Sequence, residues 1–156
     1  MVIEPFPTIY WLTHPLLKCI VSKLELEGYG LQLERRLHEN VDDAIHMMTL
    51  AHETYGQERY QLLSESDQQL IQDYRWEAAF ATSRGIAGIS QKNNKHICAV
   101  KCLHAHLAHY LSHSIGSQYN IVGRWVWEEI QLRYNTEPTT TTITSNTTST
   151  SISAIE

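Results

Sequence analysis

Residues 98–113, CAVKCLHAHLAHYLSH, read as one helix, and that reading decides the fold. Val100, Leu103, Leu107 and Leu111 recur at helical spacing and form one apolar stripe. At about 100° per position, Cys98, Cys102, His106, His109 and His113 fall within an arc of roughly 80°, nearly opposite the leucines. His104 stands beside the leucine stripe, apart from the other histidines. The segment is therefore expected to present two faces. One is the apolar face that every core helix needs, and the other is a Cys/His stripe that packing alone does not require.

Working outward, the same periodicity recurs along the chain. "PLLKCIVSKLELEG" is expected to be a helix capped by Thr13, with Pro15 in its first turn and Gly28 as its stop. "LQLERRLHEN" gives a short second helix after Gly30. From Asp42, the residues Ala44, Ile45, Met48, Ala51, His52 and Tyr55 share a face, with Gly56 as a weak point in that helix. A capping signal over Ser64 to Asp67 opens "SESDQQLIQDYRWEAAFATSRG", whose stripe is Leu70, Ile71, Tyr74, Ala78 and Ala81. "RGIAGISQKNNK" breaks the pattern and reads as a loop, and "NIVGRWVWEEIQLRYN" is the last helix. Strand-like alternation is scarce. The fold class expected is all-α, a compact five- or six-helix bundle with an extended N-terminal segment punctuated by Pro5 and Pro7. Residues 1–135 form the single helical domain. Residues 136–156, almost wholly Thr, Ser and Asn, cannot bury enough apolar area to offset their ordering entropy and are expected to be a disordered tail.

Charge and cysteine usage exclude some classes of function. Twelve Lys and Arg against 17 Asp and Glu give a net charge of −5, which argues against general nucleic-acid binding. No apolar run approaches the roughly 20 residues that span a bilayer, so no membrane partner is expected. Three cysteines, and an N-terminus without a basic region followed by an apolar run, suit free thiols in a cytoplasmic protein. The oligomeric state is left open.

"FPTIYWLTHP", "RGIAGI", "VKCLHAHLAHYL" and "NIVG" occur in this order, and together they resemble the domain-of-unknown-function family 501, small proteins found mainly in bacteria. The resemblance covers roughly Phe6 to Gly123. It implies a compact intracellular domain and supplies no reaction. Many bacterial members carry a further N-terminal stretch with a cysteine-containing motif. This sequence starts almost at "FPT", so no metal ligation by such a stretch is carried over.

Two constellations carry the chemistry. Within the Cys/His stripe, side chains one turn apart meet above the helix and suit a borderline-soft ion, zinc or iron. Cys102, His106 and His109 are the helix candidates, and His14 of "LTHP" is the long-range partner. The plainer reading stands beside it: cysteine as a small buried hydrophobe, and histidines as hydrogen-bonded core residues. The second constellation is cationic. Arg84, Gly85 and Gly88, with Lys101 beyond, are expected to cradle an anion through backbone N–H groups, although G-x-x-G is also an ordinary turn. His104 and His109 are the candidate general bases should the domain catalyse a reaction. The leading expectation is a binding module with a Cys/His-lined pocket for a small ligand, anion or metal. That pocket is placed between "LTHP", "RGIAGI" and "KCLHAHLAH". The alternatives are a hydrolase acting on a small phosphorylated or anionic substrate, and an interaction module using the aromatic last helix.

Overall fold

Pro15 fixes the first turn of helix α1 (Pro15–Leu26), where its missing N–H costs nothing. In the computed structural model, which describes residues 8–80, 84–89 and 97–134, the cap on that turn is His14 instead of the expected Thr13. Its Nδ1 accepts the Leu17 N–H at 3.4 Å. Gly28, in the left-handed region at φ +76°, separates α1 from α2 (Tyr29–His38). A tight turn over Val41–Asp43 leads into α3 (Ala44–Gln61), whose Ile45 N–H is held by the Asn40 side chain at 2.8 Å. Helix α3 runs unbroken through Gly56, which is buried within it.

Ser64 and Asp67 make the expected capping box at the start of α4 (Glu65–Asp73). The helix does not continue to Gly85 as the periodicity suggests. Arg75 takes a left-handed φ of +56°, and the N–H groups of Arg75 and Trp76 return to the carbonyls of Gln72 and Ile71, a Schellman stop. The reason is the weakness of the stripe. Ile71 is buried, whereas Leu70 and Tyr74 stay exposed, so little packing would hold a longer helix in place. A single-turn helix, α5 (Glu77–Phe80), follows, and Ala81 lies outside the described residues.

Helix α6 spans Leu103–Leu111 and α7 spans Ile121–Tyr134. The fold is thus all-helical, with six helices of nine residues or more and no strand among the described residues. Helix α6 is the central element, packed against α1, α7 and the 86–88 turn. Leu103, Ala105, His106, Leu107, Ala108 and His109 are all buried, so the helix is enclosed on nearly every side. Gly123 permits close packing of α7 on α6: a side chain there would run into the His106 carbonyl and lie 2.5 Å from Tyr110 Cβ. Trp125 is buried, and Arg36 stacks over its ring at 4.0 Å, which turns the aromatic centre of α7 inward. No helix among the described residues is long and apolar enough to cross a membrane. The Thr/Ser-rich segment expected to be disordered lies outside the described residues.

Candidate functional site: a groove at the start of α6

The 98–113 stretch is not one helix. Cys102 is the N-cap of α6, in extended conformation at φ −154° and ψ 111°, and Cys98 is buried in a separate turn before it. Two carboxylates from distant helices hold this approach. Glu34 accepts the Val100 N–H and Glu25 accepts the Leu103 N–H, each at 2.7 Å. Glu25 therefore does from α1 what a local capping side chain would do. At the other end His113 lies past the helix, exposed, at φ +55°. Of the expected stripe only His106 and His109 share the helix.

Those two are core residues. With His52 of α3 they form a fully buried histidine cluster, His52 and His106 meeting edge to face with ring centroids 6.3 Å apart. Asn120, just before α7, organises it. Its Oδ1 accepts from Gly123 N–H at 3.0 Å and from His106 Nδ1 at 3.1 Å. Its Nδ2 donates to the His106 carbonyl at 2.9 Å and to His109 Nδ1 at 3.1 Å. All four amide positions of Asn120 are used, which assigns the Nδ1 proton to His106 and the Nε2 proton to His109. His109 also packs against Tyr10, stacked at 5.6 Å, and Tyr55, edge-on at 5.1 Å. Burial drives the pKa of His106 down to about 4. It drives those of His52 and His109 to about 3, with the neighbouring His106 acting in the same direction. Three neutral, enclosed imidazoles serve as a polar core, and His109, named as a candidate general base, is buried within it.

The "RGIAGI" turn is equally committed. The Gly85 N–H goes to the Ile89 carbonyl (2.8 Å) and the Ile86 N–H to His52 Nδ1 (3.1 Å). The Gly88 and Ile89 N–H groups close the turn on Gly85 and Ile86 (both 3.1 Å). The Arg84 guanidinium reaches the Gly88 carbonyl at 3.3 Å, and its own carbonyl accepts from the buried Arg59 at 2.5 Å. The backbone donors expected to cradle an anion are thus spent on the fold. Gly85 has no room for a side chain, since a Cβ there would run into the His52 ring.

Beside these residues lies a groove of about 610 Å³. Its walls come from the N-terminal segment (Thr8, Tyr10, Trp11 and Leu12), from Lys18 of α1, from Ala87, and from Lys101, Cys102, His104 and Ala105. The N-terminal segment is pinned across α3 by Ile9 N–H to the Tyr55 hydroxyl (2.9 Å) and by the Tyr10 hydroxyl to Glu58 (3.1 Å). Trp11 is 63% exposed although it lines the groove. His104, half-buried, has Nδ1 3.3 Å from a Glu25 oxygen, and its Nε2 meets the Lys18 carbonyl (3.2 Å) and the Ser22 hydroxyl (3.3 Å).

Of the residues singled out in the sequence, the structure brings Lys101, Cys102 and His104 to this groove. His14 is an exposed cap, His106 and His109 are in the core, and Arg84, Gly85 and Gly88 make the neighbouring turn. Lys18, Trp11 and Glu25 joined the site unannounced. Glu25 in particular has no local signal, since its partners lie 78 residues or more along the chain.

These features define an all-helical domain with a polar histidine core and a lysine-flanked apolar groove at the N-terminal end of its central helix. The chain belongs to the family described as protein of unknown function (DUF501), whose model matches residues 2–128. No curated protein and no solved structure matches it.

Proposed function

We propose that the domain is a binding module whose groove takes a small anionic molecule with an apolar or aromatic body. The observation that carries this reading is the pairing of Lys18 and Lys101 with the apolar surfaces of Trp11, Leu12, Ala87 and Ala105 around one concavity. On a chain of net charge −5, two lysines facing one apolar groove favour an anion there over the rest of the surface. Trp11, more than half exposed, lines the same groove and adds aromatic surface for such a body.

Phenyl phosphate, inorganic phosphate and benzyl alcohol separate the contributions. Phenyl phosphate is expected to raise the melting temperature saturably, and the other two to do so weakly. The double variant Lys18→Ala/Lys101→Ala should lose the gain, whereas Arg84→Ala should keep it, because Arg84 serves the 84–89 turn. Equal stabilisation of wild type and double variant would contradict the reading. Release of phenol during the titration would move the assignment to the hydrolase class.

A further inference from the structure

Beside the groove, donor atoms of three different chemistries meet. We propose that Glu25, Cys102 and His104 form a site for one zinc-type divalent ion. The site stands independently of whether the groove takes an anion.

One ligand atom from each residue lies within 4.8 Å of the other two. His104 Nδ1 and a Glu25 oxygen are already 3.3 Å apart. That is about the edge of a tetrahedron with Zn–N and Zn–O bonds of about 2.0–2.1 Å. The hydrogen bonds around His104 point the same way. Its Nε2 lies 3.2 Å from the Lys18 carbonyl, which only accepts, and 3.3 Å from the Ser22 hydroxyl, which can accept as well, so the tautomer with its proton on Nε2 satisfies both contacts. In that tautomer Nδ1 is left facing the Glu25 carboxylate. Two acceptors at that distance repel unless a proton or a cation lies between them.

A histidine that gives its far N–H to a backbone carbonyl while its other nitrogen faces a donor cluster has the outer-shell support of a metal ligand. Glu25 is oriented too, by the Leu103 N–H at 2.7 Å. The extended backbone of Cys102 adds a sulfur, and thiolate with imidazole and carboxylate suits a borderline-soft ion. Three protein ligands leave a fourth position. Cys102 and His104 line the groove, and Glu25 and Cys102 line a second cleft, so the site lies beside both. The set differs from the one expected from the helical wheel: Cys102 is shared, while Glu25 and His104 stand where His14, His106 and His109 were placed.

The test is Co²⁺ titration of the full-length, reduced, chelator-treated protein. One equivalent should produce the visible bands of four-coordinate cobalt and a thiolate-to-cobalt charge-transfer band, both displaced by Zn²⁺. Cys102→Ser should remove the charge-transfer band. Glu25→Gln and His104→Gln should weaken Zn²⁺ binding by more than the ~10–100-fold that loss of an outer-shell partner costs. Cys19→Ser and His14→Ala should leave the spectrum unchanged. A wild-type protein without the charge-transfer band at saturating Co²⁺ overturns the proposal by itself, whatever the variants do. A band that survives in Cys102→Ser overturns the ligand assignment.

Discussion

At the scale of single residues, His52, His106 and His109 set the acid limit of the fold. Their folded pKa values, about 3, about 4 and about 3, lie below the ordinary value near 6.5. Above pH 6.5 both folded and unfolded chains hold these rings neutral, and their contribution to stability is fully present. As the pH falls below 6.5 the unfolded chain takes up protons that the folded core refuses, so stability is lost through the interval down to the folded values. With about 1.4 kcal/mol per histidine per pH unit, the three together should make the protein up to about 4 kcal/mol less stable at pH 5.5 than at pH 7. Urea unfolding at the two pH values measures this. An unchanged midpoint would mean that the cluster is hydrated or charged in the native state.

At the scale of elements, the contact between α6 and α7 explains why "NIVG" follows the histidine helix. Asn120 makes four hydrogen bonds, three to His106 and His109 and one to the Gly123 N–H, and Gly123 lacks the side chain that would keep the two helices apart. Gly123→Ala should therefore cost about 1–3 kcal/mol or more by overpacking, despite the higher helix propensity of alanine. Chemical denaturation reads it, and a stabilised variant would refute the close approach. Element by element, sequence signals that act locally were legible. Pro15 and Gly28 bracket α1, and Ser64 with Asp67 starts α4. The start of α6 was not, because Cys98 and Cys102 fit a helical wheel as well as His106 does. What makes Cys102 a cap is a pair of carboxylates, Glu25 and Glu34, supplied by helices far away in sequence. The same fact hid the candidate site: "KCLH" marks Lys101, Cys102 and His104, while nothing local marks Glu25 or Lys18. The break after Asp73 is not legible in the sequence, because periodicity records which residues share a face, not whether a core exists to receive them.

At the scale of the whole molecule, polar chemistry is divided between two sides of α6. The buried side, with His106, His109 and Asn120, is spent on holding the helices together. The N-terminal end, with Cys102, His104 and the two lysines, faces open space. In the proposed function ligands meet the protein at that end, and the reactivity of Cys102 reports on it directly. In a Cys19→Ser variant, the exposed competing thiol is gone and Cys98 is buried, leaving Cys102 as the accessible cysteine. The rate at which a thiol reagent labels Cys102 is then measured with and without saturating phenyl phosphate. Labelling should slow several-fold, and the protection should vanish in Lys18→Ala/Lys101→Ala. A labelling rate at Cys102 that phenyl phosphate leaves unchanged would contradict the proposed function.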